Sequence, residues 1–426
     1  MPEQRLAIIG GGPKAAAIAA KAACLRDLAE LPLEVVIFER HEIGAAWSGN
    51  HGYTDGQQRL CTPAERDIGF PYDSQLADGL GSELQVRFSW MAYAVAKGSY
   101  GDWVDRGRPK PTHREFADYI AWCIEDAAPV RFGEVTALKH RFGRWSVSYS
   151  DLATGSPKRE SGFDGIIVTG PGPQSTRLPQ VADHRIFDGV GFWLPGVVVA
   201  AAQRAAESPD DPVVIIGSGG TAAATAAALV RSQVQNEIIV LGNQAALYAR
   251  ADSYFENRAF RDPKFWSALS AGDRRIFSDR LTRGAVWSNV VDLLAQVDTI
   301  DYLQGEAIRV RHDPVGDPAG ALMVDYRTSA DPDGVIAQPA SVVIDATGFD
   351  PWWFRSLLSK TLADQTLREP VMRSTMASDL SLPLTGAPRL HVPMVGQAVG
   401  PAYNSLMALG SLSDVILRPY VEAALT

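Results

Sequence analysis

The chain has 426 residues, which at about 150 residues per domain predicts two or three domains. Its 40 Lys and Arg stand against 49 Asp and Glu, and the formal net charge of −9 argues against nucleic acid or an anionic membrane as the main partner. Hydrophobic residues make up 46% and charged residues 21%, which excludes a disordered, collagen-like or disulfide-stapled chain. The cysteines, Cys24, Cys61 and Cys123, show no CxxC spacing and indicate buried thiols in a reducing cytosol.

No targeting or membrane segment is expected. The N-terminus leads directly into an apolar strand, without the basic and apolar regions of a signal peptide. The longest apolar stretch, near 194–202, contains Pro195 and Gly196 and is far shorter than the roughly 20 residues that span a bilayer. We therefore predict a soluble, cytoplasmic protein without a membrane partner.

The chain begins with a predicted β-turn-α-β unit. A strand at Leu6–Ile9 leads through a glycine turn to an Ala-rich helix at about 14–29, and a second strand, Val35–Phe38, ends at Glu39. The turn fits G-x-G-x-x-G/A, which lets a pyrophosphate approach backbone N–H groups at a helix N-terminus. Glu39 can accept both ribose hydroxyls of an adenosine. The predicted cofactor contacts of this unit are Gly10, Gly12, Pro13, Lys14, Ala15 and Glu39, although Lys14 fits a solvated helix position equally well.

About 200 residues later the same design recurs without the acid. A strand at Val213–Ile216 and a helix at about 221–233 are followed by a strand at Ile238–Leu241, which ends in Gly-Asn-Gln. A carboxylate there would repel a 2′-phosphate, so its absence favours NADPH over NADH. Arg250 is close enough in sequence to meet that phosphate, or is a solvated loop arginine. The residues assigned to this site are Gly217, Ser218, Gly219, Gly220, Thr221 and Arg250.

The fold class is therefore α/β, with two Rossmann-like dinucleotide-binding domains and a small, mostly helical substrate region. We predict a discontinuous FAD-binding domain at 1–190 and 345–426, and an NADPH-binding domain at 191–344 whose helical substrate-binding segment lies at about 252–295. Further expected elements are a helix at 112–127, antiparallel strands at 130–150, an apolar strand at 163–170, loops at 311–337 and a strand ending in glycine at 342–349.

Two dinucleotide sites in one chain imply electron transfer from NADPH to a bound flavin. A disulfide reductase needs paired cysteines beside the flavin, and Cys24 and Cys61 supply no such motif. A flavin monooxygenase needs only a protected pocket where reduced flavin meets oxygen. The F-x-G-x-x-x-H signature of one monooxygenase class fails, because Trp193 stands at its histidine position.

Several further stretches carry a family resemblance. They are Gly44-Ala45-Ala46-Trp47 with Tyr53-Thr54-Asp55-Gly56, Glu65-Arg66-Asp67-Ile68-Gly69-Phe70-Pro71-Tyr72, Asp102-Trp103-Val104-Asp105-Arg106-Gly107-Arg108-Pro109, Pro111-Thr112-His113-Arg114, Ser253-Tyr254-Phe255-Glu256-Asn257 and Asp345-Ala346-Thr347-Gly348-Phe349. Together they make the chain, from about residue 5 to 418, similar to the flavin-dependent N-hydroxylating monooxygenases of the lysine N6/ornithine N5 family. The similarity is strongest to the lysine N6-hydroxylases of mycobactin-type siderophore assembly.

The resemblance implies a flavin-driven reaction with no certain catalytic side chain and no metal. NADPH reduces FAD, molecular oxygen adds to form a hydroperoxyflavin, and a neutral substrate amine attacks the distal oxygen while NADP⁺ stays bound. Arg66 stands where the family has a lysine that holds the substrate α-carboxylate, and Asn257 matches a substrate-contacting asparagine. Alternatively, Arg66 pairs with Asp67 at the surface and Asn257 caps a helix. A second asparagine, expected near 283–285, and a serine, expected at Ala408, are missing, which argues against ornithine.

The remaining expectations concern the flavin ring and the choice of function. Trp47 is expected against the flavin or in the core, and a helix beginning at Pro401 is expected to face the ring. The cofactor contacts assigned there are Trp47, Thr347, Gly348, Asn404, Ser405 and Leu406. We predict N-hydroxylation of L-lysine in siderophore or related biosynthesis by a homo-oligomer, dimer or tetramer. The alternatives are an ornithine or diamine hydroxylase, and a non-catalytic flavin/NADPH redox sensor.

Overall fold

The computed structural model describes residues 3–175, 178–250, 253–282, 286–313 and 320–425. The strands, in chain order, are β1 (Gln4–Ile9), β2 (Leu33–Glu39), β3 (Val130–Arg141), β4 (Arg144–Asp151), β5 (Pro157–Phe163), β6 (Gly165–Val168), β7 (Ile186–Asp188), β8 (Val213–Ile216), β9 (Ile238–Gly242), β10 (Ala249–Arg250), β11 (Val286–Trp287), β12 (Ile300–Gln304), β13 (Glu306–His312), β14 (Leu322–Arg327), β15 (Ile336–Ala340), β16 (Val342–Asp345) and β17 (Arg389–His391).

The helices, in chain order, are α1 (Pro13–Ala29), α2 (Ala45–Ser48), α3 (Leu80–Phe88), α4 (Trp90–Ala96), α5 (Tyr100–Asp105), α6 (His113–Ala127), α7 (Val197–Ala206), α8 (Gly220–Arg231), α9 (Tyr254–Arg261), α10 (Pro263–Ala268), α11 (Ala271–Thr282), α12 (Ser288–Leu294), α13 (Lys360–Gln365), α14 (Glu369–Ser374) and α15 (Leu409–Leu425). Short 3₁₀ turns lie at Gly191–Trp193, Trp353–Leu357 and Pro393–Ala398. Among the described residues, no helix is both long and apolar enough to cross a membrane.

The first sheet has the strand order β17-β6-β1-β2-β3-β4-β5. Its strands from β17 to β3 are parallel, and β3, β4 and β5 form an antiparallel extension. The buried apolar runs of β1 and β2 explain the parallel part, because both of their faces are covered. Helix α1 is rich in alanine, which lets it pack closely against α6 and α15. The predicted helix at 112–127 and the antiparallel strands at 130–150 are confirmed.

The second sheet is parallel throughout, in the order β12-β9-β8-β16-β7. Strand β7 lies before residue 190, where the sequence puts the domain boundary, yet it pairs with β16 in this sheet. The chain therefore crosses between the sheets before β7 and again after β16. The two crossing segments are hydrogen bonded to each other, with Ser175 N–H donating to Gly348 O at 2.9 Å and Asp350 N–H donating to Pro173 O at 2.9 Å.

A third, antiparallel sheet is formed by β13, β14 and β15. The expectation of loops throughout 311–337 is wrong, because β14 lies within that segment. Its central residue, Asp325, is only 1% exposed and is paired with Arg309 at 2.6 Å and with Arg311 at 2.9 Å on β13. An acidic residue with such partners can occupy a buried strand position, although it weakens the apolar strand pattern.

The segment 252–295 is mostly helical in its described parts, as predicted, and the exception is the short strand β11, which pairs with β10. Phe260 of α9 is buried in the core of the first sheet, with Phe277 of α11 packed against it. These helices therefore pack beside the first sheet, although they follow β8 and β9 of the second sheet along the chain.

Two further expectations need correction. The C-terminal helix begins at Leu409 and not at Pro401, because the Ser405 hydroxyl donates to Ala402 O at 2.9 Å and accepts from Met407 N–H at 3.2 Å, which favours a turn. Cys24 and Cys123 are buried free thiols, whereas Cys61 is exposed in the loop that follows β2 and α2.

Candidate active site

A cavity of about 790 Å³ lies at the carboxyl ends of β1 and β2. This is within the range of pockets that enclose an organic ligand, and it is the edge where parallel sheets bind cofactors. Its walls include the first glycine turn, the segment at 169–173, the loop that carries Trp47 and the residues at 404–406. Thr221, at the start of α8, also lines it, so the second glycine turn adjoins the same cavity.

The backbone of the first glycine turn leaves room for a ligand. Gly10 has φ +98°, and a Cβ there would lie 2.8 Å from Thr169 Oγ1. At Gly12, which lines the cavity, no described residue apart from its neighbours along the chain comes within 4 Å of where a Cβ would be. Pro13 opens α1, and Ala15 is wholly buried beneath the turn. This cradle fits the diphosphate of a dinucleotide, which must approach the backbone closely.

Glu39 is fixed at the end of β2 by the turn itself. Its carboxylate is 8% exposed, and it accepts from Gly11 N–H at 2.7 Å through Oε2 and from His41 N–H at 2.9 Å through Oε1. Each carboxylate oxygen has capacity for a further bond, so the group can still accept ribose hydroxyls.

Two donors on the cavity wall have no acceptor among the described residues. Lys14 is 7% exposed, has no hydrogen-bond or ion-pair partner there, and burial lowers the pKa of its ammonium to about 8. The indole Nε1–H of Trp353 is likewise buried and unsatisfied. Buried donors of this kind call for an acceptor, and the anionic diphosphate of FAD supplies one for the lysine. The residues present therefore fit FAD.

Trp47 lies on another wall of the cavity, in an aromatic and imidazole cluster. Its ring meets His113 edge-on at 4.8 Å and Phe116 at 5.6 Å. The Nδ1 of His113 is 2.8 Å from Thr54 Oγ1, and burial lowers the pKa of this imidazole to about 4, so it is neutral near pH 7. Asn404, Ser405 and Leu406 line the cavity as well.

The second glycine turn repeats the geometry of the first. Gly217 has φ +131°, and a Cβ there would lie 2.6 Å from the backbone oxygen of Ala346. Ser218, Gly219 and Gly220 lead into α8 but do not line the cavity, which Thr221 alone of this turn reaches. At the end of β9 the acid position holds Gly242, against which Ser218 and Tyr302 pack. The side chain of Arg250 lies outside the described residues. The turn fits NADPH, because no carboxylate opposes a 2′-phosphate.

Thr347 and Gly348 shape the crossing between the sheets. The Thr347 hydroxyl donates to Asp345 Oδ1 at 2.6 Å, and Gly348 has φ +108°. Neither residue lines the cavity, whereas the next one, Phe349, does. Burial raises the pKa of the Asp345 carboxyl, whose hydrogen bonds to Thr347 oppose that shift.

The two predicted substrate residues lie outside the cavity lining. Arg66 donates from Nη1 to Met407 O at 3.5 Å, one residue from Leu406 on the cavity wall, and its guanidinium is 5.0 Å from the Phe70 ring centroid. Asp67 points into the interior instead of pairing with it. Asn257 is half-buried in α9, whose N-cap is Ser253, so the capping alternative for Asn257 is wrong.

Sequence reasoning missed His113, Tyr53 and Trp353 as cavity residues. His113 and Tyr53 stand in stretches that carry the resemblance, which gave a signal for them. Trp353 lies four residues beyond the Asp345–Phe349 stretch, and no motif includes it. The predicted second asparagine position, near 283–285, lies outside the described residues. Among those described, no cluster of His, Cys, Asp and Glu could hold a metal.

Comparison with known proteins gives a consistent result. The family model for L-lysine 6-monooxygenase/L-ornithine 5-monooxygenase matches residues 83–291. Proteins named L-lysine N6-monooxygenase MbtG, from Mycobacterium tuberculosis (strain ATCC 25618 / H37Rv) and Mycolicibacterium paratuberculosis (strain ATCC BAA-968 / K-10), are each 34% identical over 97% of this chain and 94% of their own length.

Solved structures agree with these relatives. Lysine monooxygenase NbtG from Nocardia farcinica is 32% identical and superposes with a TM-score of 0.79 over 97% of this chain and 99% of its own. The ornithine N-hydroxylase KtzI of Kutzneria sp. 744, solved with reduced FAD, NADP⁺ and L-ornithine, is 17% identical with a TM-score of 0.74 over the whole of both chains, and shares the fold. By its identity to relatives along nearly its whole length, the chain belongs to the L-lysine 6-monooxygenase/L-ornithine 5-monooxygenase family of NADPH-dependent flavin monooxygenases.

Proposed function

We propose that the chain hydroxylates the side-chain nitrogen of L-lysine, with FAD and NADPH as cofactors and molecular oxygen as co-substrate. One observation carries the proposal: both glycine turns adjoin one cavity, and the Arg66 guanidinium contacts Met407, the residue next to Leu406 on the wall of that cavity. The names of the relatives that share about a third of its residues favour lysine over ornithine.

Each part of the cavity has a proposed partner in FAD. Glu39 holds the adenosine ribose, and Lys14 with the backbone of Gly10–Pro13 holds the diphosphate. Trp47 and the residues at 404–406 flank the flavin ring, while Thr347 and Gly348 hold the crossing segment beside it. The bound flavin, once reduced, supplies the oxygen chemistry. For NADPH, the contacts proposed are Gly217, Ser218, Gly219, Gly220, Thr221 and Arg250.

The substrate amine must reach the flavin in its neutral form. Only about one lysine side chain in a thousand is neutral in water near pH 7.4. His113 is too weak a base to accept that proton, because burial lowers its pKa to about 4. Desolvation by the pocket is therefore the proposed cause of deprotonation. Arg66 is proposed to bind the α-carboxylate in a bidentate way, and Asn257 to contact the backbone groups of the substrate.

The test is an amine panel in which hydroxylamine product, NADPH oxidation and peroxide are measured together. L-Lysine, L-ornithine and 1,5-diaminopentane, which is lysine without its carboxylate, separate the substrate alternatives. We expect hydroxylamine in proportion to NADPH consumed with lysine, and mostly peroxide with the other two. Product from ornithine alone would assign the other activity of the family. No product from any amine would favour the redox-sensor alternative.

Other aspects of the enzyme are proposals of the same kind. The product would be a precursor of a hydroxamate siderophore or a related N–O metabolite. The buried thiols of Cys24 and Cys123 and the proposed dependence on NADPH favour a cytoplasmic enzyme. Tyr254 and Phe255, which are 76% and 82% exposed at the start of α9, favour a homo-oligomer that covers them. Light scattering on the purified protein would distinguish a monomer from a dimer or tetramer.

A further inference from the structure

The side chains of Arg66 and Asp67 diverge from one loop. Arg66 extends along the surface of the loop towards Met407, with its guanidinium over the Phe70 ring. Asp67 instead contacts Gly69, Tyr72 and Trp90, and it is 3% exposed. A carboxylate so far from water costs free energy unless its oxygens are well bonded. Its partners therefore indicate what the chain gains from keeping it.

Three donors converge on the Asp67 carboxylate. Tyr72 O–H donates to Oδ1 at 2.6 Å and Gly69 N–H to the same oxygen at 3.1 Å, which closes the loop upon itself. Trp90 N–H donates to Oδ2 at 2.8 Å and so fastens the loop to the first residue of α4. The carboxylate thus joins this largely buried loop to a helix N-terminus, where an anion is favoured.

The other side of the loop is fastened to the start of α15. Gly410 N–H donates to Phe70 O at 2.8 Å, and a Cβ at Gly410 would lie 2.2 Å from Gly69 O. The loop is therefore held between α4 and α15, and these two contacts fix its position relative to Met407. Because the Arg66 side chain extends from this backbone, a shift of the loop also moves the guanidinium.

We propose that Asp67 is a positioning residue for substrate recognition, which holds the backbone of Arg66 so that the guanidinium meets the α-carboxylate of the amino-acid substrate. The inference rests on the proposed function, since it assumes that Arg66 binds that carboxylate. In this role Asp67 fixes the backbone of the loop and does not form an ion pair with Arg66.

The charge on Asp67 is maintained against burial. Burial raises the pKa of its carboxyl to about 6, and the hydrogen bonds from Tyr72, Trp90 and Gly69 oppose that shift, so the group is ionised at pH 7. The titratable groups that face it are Tyr72 on its own loop and Tyr119 and Cys123 on α6, and the pKa of each is raised, so all are neutral. An asparagine at 67 would keep one acceptor oxygen but present an N–H towards Trp90 N–H.

The experiment compares kcat/KM for L-lysine with that for 1,5-diaminopentane in wild type, Arg66→Ala, Asp67→Asn and Asp73→Asn. Asp73 is exposed in the same loop region, so Asp73→Asn is the matched control. We expect Asp67→Asn to raise the KM for lysine about 10-fold, the effect of losing one buried charged hydrogen bond, with little change in kcat. The kcat/KM for the diamine, the FAD content and the KM for NADPH should be unaffected, and Asp73→Asn should behave as wild type.

The outcomes separate the inference from the function beneath it. If Arg66→Ala lowers the preference for lysine over the diamine and Asp67→Asn does not, the inference is overturned and the proposed function stands. If Arg66→Ala leaves that preference unchanged, the carboxylate role of Arg66 and the inference both fail. If Asp67→Asn does not retain FAD, Tyr72→Phe decides: a loss of preference of about 3-fold supports the inference, and an unchanged preference overturns it.

Discussion

The two glycine turns share a backbone design and differ in the side chains placed on it. In each, a glycine with positive φ lies against the end of a neighbouring strand, Gly10 against Thr169 and Gly217 against Ala346. At the end of the second strand, however, one unit has the carboxylate of Glu39 and the other has Gly242. Both turns leave room for a phosphate, and a carboxylate at the strand end suits a free 2′-hydroxyl, whereas its absence suits a 2′-phosphate.

A second difference lies at equivalent positions of the two helices. Lys14 and Thr221 each stand two residues after the second glycine of the motif, and both line the same cavity. The first unit therefore presents a buried cation and the second a hydroxyl. This difference fits a cofactor held permanently in the first unit and one that enters and leaves in the second.

The largest expected effects come from the shared glycines. Gly10→Ala should weaken FAD binding about 100-fold, because it adds backbone strain and a contact with Thr169. Gly217→Ala should keep FAD but abolish reduction by NADPH. Flavin absorbance of the purified protein and stopped-flow reduction measure the two effects. The control is Gly143→Ala, at an exposed turn with φ +74°, which carries the same kind of strain and should retain FAD binding and reduction by NADPH. Equal loss of FAD in Gly10→Ala and Gly217→Ala would contradict the assignment of separate sites.

The next effect distinguishes Lys14 from Thr221. Burial lowers the pKa of Lys14 from 10.5 to about 8, so at pH 7 the charged ammonium costs the cofactor-free protein about 3 kcal/mol of its unfolding free energy. Lys14→Met should therefore stabilise that form at pH 7, and the gain should disappear as pH rises from 8 to 10.5. The same variant should bind FAD about 30-fold more weakly.

Thermal unfolding of the stripped protein at pH 7 and 10, with fluorescence titration of FAD, measures both effects of Lys14→Met. Lys264→Met, at an exposed position on α10, is the control. A Lys14→Met variant that binds FAD as wild type does would remove the lysine from the diphosphate site.

The smallest effect addresses the missing acid of the second unit. Asn243 is exposed directly after β9, and Asn243→Asp introduces a carboxylate one residue beyond the acid position, Gly242, near the proposed 2′-phosphate. We expect the KM for NADPH to rise about 5-fold and that for NADH to stay constant, from repulsion in a solvated site. Asn243→Ser controls for the lost amide. A rise that is equal for both nucleotides would show that no phosphate lies there.

The sequence predicted the parts of the fold that follow from local rules. Apolar runs next to glycine turns gave β1, α1, β8 and α8, because both the strand and the phosphate turn restrict residue type. It missed β14, since Asp325 is satisfied only by arginines on another strand. It also could not give the direction of Asp67, which depends on Trp90, more than 20 residues away. Contacts between distant segments leave no periodic signal.

The paired crossing segments have a consequence for how this architecture can vary. Because Ser175 bonds to Gly348 and Pro173 to Asp350, the second unit enters and leaves the first at a single, closed point. A unit inserted in this way has its two ends side by side, as the ends of a domain usually are. A change of length inside this inserted part therefore leaves the sheet that holds Glu39 continuous.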